Sequence, residues 1–122
     1  MNTAILEKSD VRNLGTPDEV RDFPYGRLEL IHIGGRTIGR AILQPGWRWS
    51  TCVQPIAKTQ SCEAPHFQYH VSGRLRVRLD DGTEFDCRAG DVSLISSGHD
   101  AWVVGDEPVV IVDFQGMAEY AT

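Results

Sequence analysis

From Tyr25 onward the chain is cut into short pieces by turn residues. Gly34-Gly35, Pro45-Gly46, Pro55, Pro65, Gly73, Gly82, Gly90-Asp91, Ser97-Gly98 and Gly105-Asp106 follow one another about every eight to twelve residues. Between them lie runs of strand length rich in branched and aromatic residues, such as RLELIHI, RTIGRAIL, DVSLIS and PVVIVDF. Such punctuation leaves no room for long helices and indicates an all-β sandwich or barrel. The 122 residues suffice for one domain that buries about two-thirds of its surface.

Two hairpins can be read to the register. Gly34-Gly35 is a two-residue loop that sets Glu29 opposite Arg40, Ile31 opposite Ile38 and Leu28 opposite Ala41. With Asp80-Asp81-Gly82 as a three-residue loop, Leu75 meets Cys87, Val77 meets Phe85, Arg76 meets Asp86 and Arg78 meets Glu84. The arginines at 74, 76 and 78 then form a charge-matched outer face. WRWSTCV reads as a further strand. A single short helical turn is expected after Thr16-Pro17-Asp18-Glu19, which offers an N-cap, a proline and acids before Pro24. The expected organisation is an outer segment with that turn over 1–25, a barrel over 26–116 and a tail over 117–122.

A net charge of −5 argues against a nucleic-acid partner. No apolar run approaches the ~20 residues of a membrane helix, and MNTAILEKSD lacks the basic start and apolar run of a secretory signal. Three cysteines, Cys52, Cys62 and Cys87, form no CxxC pair and no disulfide framework, so the expected compartment is the cytoplasm.

The segment CEAPHFQYHVSG, residues 62–73, carries the question of function. Alternate strand residues face opposite ways, so Phe67, Tyr69 and Val71 share one face and His66, Gln68 and His70 the other. Leu75, Val77 and Leu79 face the interior; counting back by twos puts the aromatics inside and the histidines in solvent. A bulge at Ser72-Gly73 reverses the parity and brings the histidines inside, because glycine accepts the left-handed backbone that a bulge uses. The pattern by itself leaves both open.

Over residues 40–114 the chain resembles the cupins. The resemblance rests on Pro45-Gly46 entering a strand, His66 with Gly73 seven residues on, Asp81-Gly82, Gly90-Asp91, and SSGHDAW at 96–102. It implies a double-stranded β-helix, a mostly antiparallel jelly-roll barrel whose interior holds a metal. In the cupin pattern a glutamate points inward seven residues before a glycine; His66 stands at that position, which favours the inward reading. The departures are specific. The expected His-x-His pair is replaced near Gln60, Ser61 and Cys62, Ser96 stands for a proline, and Ala101 stands where a histidine is expected, with His99 two residues earlier on the same face.

The candidate metal ligands are therefore His66, His99, Cys62 and His70, with Glu63, Gln68 and Asp100 nearby. Imidazoles with a thiolate suit zinc, iron, manganese or nickel more than magnesium or calcium; no organic cofactor is implied. Each residue also has a structural reading: Cys62 as a buried small side chain, His70 as a hydrogen-bonded strand residue, His99 as a turn cap. Cys52, Cys87, His32 and the three tryptophans read as packing or surface residues. Two functions follow. One is a metal-dependent protein acting on a small organic molecule by oxygenase, isomerase or lyase chemistry; the other is a non-catalytic small-ligand-binding or sensing cupin. A purely structural barrel is a third. A homodimer is expected, with Ile31 and Ile38 offering an apolar patch, and no catalytic residue is assigned.

Overall fold

The computed structural model describes residues 8–122, and every strand pairing in it is antiparallel. The strands are β1 (Glu19–Phe23), β2 (Gly26–Ile33), β3 (Arg36–Leu43), β4 (His66–Ser72), β5 (Arg74–Leu79), β6 (Glu84–Arg88), β7 (Val92–Ile95), β8 (His99–Val103) and β9 (Val109–Asp113). They form a six-stranded sheet, in the order β1-β2-β3-β9-β4-β7, and a three-stranded sheet, in the order β6-β5-β8. This is the all-β architecture that the strand punctuation implies, in the jelly-roll form that the cupin resemblance implies. Among the described residues no helix is long and apolar enough to cross a membrane.

Both hairpins have the register read from the sequence. Glu29 faces Arg40, Ile31 faces Ile38 and Leu28 faces Ala41 across the loop at Gly34-Gly35. Leu75 faces Cys87, Val77 faces Phe85 and Arg76 faces Asp86 in the other. The core between the sheets takes Leu28 and Leu30, Leu43, Leu75 and Val77, Ile95, Val109 and Ile111, all buried.

Two local expectations are corrected. WRWSTCV is not a strand beyond its first residues: two helical turns, α1 (Trp49–Cys52) and α2 (Gln54–Ala57), follow instead. Asp100 is the cause, since its Oδ1 accepts the Ser50 N–H at 3.1 Å and its Oδ2 the Arg48 Nε–H at 3.2 Å. Burial of Trp49, Cys52 and Val53 then follows helical spacing. Nor do residues 16–25 hold a helical turn. Asp18 does not cap one: its N–H donates to Leu30 O, and its Oδ2 accepts the His32 N–H, both at 2.8 Å. These bonds run along the edge of β2 and start β1, so cross-strand pairing wins over the capping signal. The outer segment is thus part of the larger sheet from Glu19 onward.

The patch expected at Ile31 and Ile38 is not open either: Ile31 is buried and Ile38 half-buried. The tail, by contrast, is tied to the barrel. Arg21 donates to the carbonyls of Met117 (3.3 Å), Ala118 (2.9 Å) and Tyr120 (2.6 Å).

Candidate metal centre

The parity at residues 66–70 is decided at Gly73. The ladder between β4 and β9 slips between His70 and Ser72, and Gly73 takes φ +78°. A side chain there would place Cβ 2.5 Å from Pro108 O, so both the left-handed backbone and the close approach require glycine. The bulge turns His66, Gln68 and His70 inward, where all three are buried, and leaves Phe67, Tyr69 and Val71 exposed.

Cys62 and His99 are set side by side by backbone alone. Cys62 N–H donates to His99 O at 2.7 Å and His99 N–H returns to Cys62 O at 3.2 Å, an isolated β-bridge between a loop and the start of β8. His66, opening β4, completes the group. Cys62 Sγ lies 3.7 Å from His66 Nε2, the two imidazole rings meet edge to face with centroids 5.1 Å apart, and one ligand atom from each of the three residues falls within 4.8 Å of the others. Cys62 is buried.

The second nitrogen of each imidazole is committed. His66 Nδ1 lies 2.6 Å from Asp113 Oδ2, and His99 Nδ1 lies 2.8 Å from Ser96 O. A carbonyl can only accept, so His99 Nδ1 carries the proton and Nε2 is left bare. The Asp113 carboxylate orients His66 the same way, presenting Nε2 toward the thiol. Asp113 is fully buried; beyond His66 it accepts Gln68 Nε2–H at 2.9 Å, Gln115 N–H at 2.9 Å and Phe67 N–H at 3.3 Å. A carboxylate behind a histidine is the usual partner of a metal-binding imidazole.

Burial pushes the Cys62 thiol up to about 12, with neighbouring carboxylates adding to it. Burial, and then the facing His66, lower the pKa of His99. The order thiol, imidazole, carboxylate is also that of a thiol nucleophile, but a thiol held at about 12 stays protonated and unreactive. A metal ion changes that, because a coordinated thiol is deprotonated outright.

The residues fit a metal on geometry. A tetrahedral zinc with bonds of about 2.3 Å to sulfur and 2.0–2.1 Å to nitrogen needs S···N near 3.6 Å and N···N near 3.3 Å. The Cys62–His66 separation matches, and closing the remaining gap needs a movement of roughly 1 Å. A set of two nitrogens and one sulfur with no carboxylate suits zinc and other borderline ions and not calcium or magnesium.

His70 is placed elsewhere. Its Nε2 pairs with Ser93 Oγ at 2.8 Å, its Nδ1 has no partner, and burial lowers its pKa. The structure does not bring it into the group of three. Asp100 is spent on Arg48 and Ser50, and Glu63 is exposed. Cys52 and Cys87 pack in the core, and His32 pairs with Thr37 at 3.1 Å.

A cavity of about 30 Å³ lies against the histidines, lined by His66, Gln68, His99, Trp47, Trp49 and Tyr120 among others. It is of the size that holds one or two waters. Trp47 is buried there, and its indole Nε1 finds no partner among the described residues. Outside it, a mostly apolar cleft of about 400 Å³ runs between α1, α2 and the tail, reaching Val53, Ala57, Cys62, Pro65 and Ala118. Trp49 and Tyr120 line both spaces. Tyr120 packs edge to face on His66, centroids 5.8 Å apart.

Asp113 and Tyr120 were not legible as site residues. Asp113 had a signal, since it follows Val109 and Ile111 in alternation and so faces inward, where an acid needs partners. Tyr120 had none; only the arginine clamp on the tail brings it in.

No family model matches the chain and no curated protein matches its sequence. Solved structures do. The chain is similar to a Lactobacillus farciminis oxalate decarboxylase in complex with formate, at 19% identity and a TM-score of 0.60, over 84% of this chain and 32% of that one. It thus spans about a third of that longer chain. It is also similar to a protein of unknown function from Rhizobium leguminosarum, at 16% identity and a TM-score of 0.65, over 88% and 96% of the two chains. A third, of unknown function from Acinetobacter, gives 15% identity and a TM-score of 0.57 over 80% and 90%. At these identities the likeness concerns the fold.

Proposed function

Starting from a chain with the cupin fold, we propose that it holds one divalent transition-metal ion through Cys62 Sγ, His66 Nε2 and His99 Nε2, and acts with it on a small organic molecule. The observation that carries the reading is the convergence of one ligand atom from each of these three residues within 4.8 Å in a buried position. The committed second nitrogens support it, because both bare nitrogens are then available as ligands without a change of tautomer.

Three protein ligands leave a fourth position, as in catalytic rather than closed structural zinc sites. A bound ion there would supply Lewis acidity to an oxygen of the substrate. The chain's own contributions are distinct from that. Trp47 Nε1 and Gln68 offer hydrogen bonds beside the small cavity, while Trp49 and Tyr120 separate it from the apolar cleft and keep bulk water out. A molecule admitted from the cleft would be small, apolar over most of its surface and equipped with one oxygen-bearing end. The oxalate decarboxylase likeness supports a carboxylic-acid substrate, but its site cannot be carried over, because the His-x-His pair and glutamate of the cupin pattern are absent here.

The test is metal analysis of freshly purified protein followed by titration of the stripped protein with cobalt(II). One equivalent of metal, and a sulfur-to-cobalt charge-transfer band lost in Cys62→Ser, is expected. His66→Ala should remove most of the metal and His32→Ala none. Protein that takes up no metal at micromolar concentration overturns the reading. Metal that binds, with no turnover of any small carboxylic or keto compound, leaves the sensing cupin as the function.

A further inference from the structure

The two spaces beside the candidate metal centre lack a fixed cation. Among the described residues, no arginine or lysine lines the small cavity or the apolar cleft. The charged side chains that line the cleft are Glu63 and Glu119, both exposed. Lys58 follows α2 without lining it, and Arg21 is held by Glu19 and by the carbonyls of Met117, Ala118 and Tyr120. Behind His66 stands the buried Asp113 carboxylate. We propose that cleft and cavity take an uncharged molecule, apolar in its body and ending in a carbonyl, amide or hydroxyl oxygen, and discriminate against the carboxylate of the same shape.

The first argument is the charge around the reacting end, and it rests on the metal reading above. A divalent ion at the centre is balanced by the Cys62 thiolate, which coordination deprotonates, and by the Asp113 carboxylate. A carboxylate placed there brings one more negative charge into a buried space with no cation left to meet it. Burying a charge without a partner is costly, whereas an uncharged oxygen brings none. Without the ion the surroundings are more negative still, because the thiol is then protonated and Asp113 stays.

The second argument is the donor. Trp47 lines the small cavity, is 3% exposed, and leaves its indole Nε1–H without a partner among the described residues. A buried donor left unmet costs the full desolvation of that group, so an acceptor belongs there. The indole is neutral and gives one hydrogen bond. One such donor serves a carbonyl or hydroxyl oxygen, whereas a carboxylate presents two oxygens and a full charge. The cavity holds about 30 Å³, so only the oxygen-bearing tip enters and the apolar body stays in the cleft.

The third argument is the path. The cleft of about 400 Å³ is mostly apolar, and Trp49 and Tyr120 stand between it and the cavity. An anion that enters it passes Glu63 and Glu119 and meets no opposite charge on the lining, while the chain as a whole carries −5. The oxalate decarboxylase likeness supports an acid; the residues of this chain select against one.

The test is an NMR titration of the full chain at about pH 8, where imidazoles are neutral and carboxylates charged, with the matched pair hexanamide and hexanoate. It is run on metal-free and on zinc-loaded protein. Hexanamide is expected to shift the amide resonances of Ala57 and Ala118, which line the cleft, and the indole Nε1–H resonance of Trp47. Hexanoate should bind at least roughly 10-fold more weakly in either form. Glu63→Gln combined with Glu119→Gln should narrow that ratio, and so should added salt, because exposed charges are screened. Hexanoate that binds as tightly as hexanamide overturns the proposal. So does hexanamide that moves none of these resonances at about 10 mM. Protein that takes up no zinc overturns the metal reading alone, because the metal-free titration still decides the preference.

Discussion

Strands β4 and β5 are neighbours in sequence, joined at Gly73, and they are dressed in opposite senses. β4 turns His66, Gln68 and His70 inward and Phe67, Tyr69 and Val71 outward. β5 turns Leu75 and Val77 inward and its three arginines outward. The outer face of β5 is complete within one chain: Asp86 accepts from Arg74 at 2.5 Å and Arg76 at 2.8 Å, and Glu84 accepts from Arg76 at 2.7 Å. The outer face of β4 has no such partners. The contrast shows how a small barrel accommodates a polar interior. The polar set of β4, His66 among it, occupies the inward positions, and its apolar set stands on the outside.

The contrast hangs on one residue, so the largest effect is expected at Gly73. Gly73→Ala adds a Cβ 2.5 Å from Pro108 O in a left-handed backbone. Strain and clash together should cost roughly 3 kcal/mol, read from urea unfolding. If the chain escapes by removing the bulge, β4 turns over, and the stripped variant loses cobalt binding. A variant as stable as wild type with cobalt binding intact would break the account of the parity.

A smaller and more selective effect is expected from Asp113→Asn. The amide has one acceptor oxygen where the carboxylate takes four N–H donors, so His66 is no longer held with Nε2 bare. Metal affinity should fall about 10- to 100-fold. Affinity equal to that of wild type would mean that the carboxylate does not orient His66.

The interior histidines also set a pH response. Burial lowers the pKa of His70 and of His99 below the ordinary value of about 6.5. A group whose folded value is depressed contributes its stability in full above the unfolded value, and the contribution is lost as pH falls through the folded one. Metal-free protein should therefore lose urea resistance as pH drops below ~6.5. His70→Gln, which keeps a polar reach to Ser93, should make that slope shallower without abolishing it, since His99 remains. Parallel curves for variant and wild type would assign the response elsewhere.

The registers of both hairpins were legible because turn glycines and cross-strand charges lie close together in sequence. The pairs Glu29–Arg40 and Arg76–Asp86 each report on one hairpin alone. The parity of β4 was not fixed by pattern, since both of its faces are plausible cores, and the cupin-like spacing from 66 to 73 favoured the side that the bulge selects. Cys62 and His99 were legible as candidate ligands of one site, but the backbone bridge that sets them side by side was not, because it links a loop to a distant strand. The helical turn at Trp49 was hidden for a similar reason: its cap, Asp100, comes fifty residues later in the chain. These misses were non-local, whereas Asp113 and the pairing of β1 with the adjacent β2 had local signals.

The smallest effect is expected where the charges look most prominent. Arg76→Ala removes contacts to Glu84 at 2.7 Å and Asp86 at 2.8 Å on the outer face of β5. Asp86 keeps Arg74 at 2.5 Å and Arg88 at 3.6 Å, while Glu84, which loses its arginine, is exposed to water. All these side chains remain in contact with water, which screens them and competes for their hydrogen bonds. The urea midpoint should therefore shift by little more than experimental error, and any shift should vanish in about 1 M salt. Uptake of cobalt by the stripped protein should not respond. A large, salt-resistant loss in Arg76→Ala would mean that the arginine face is covered, and is therefore not complete within one chain.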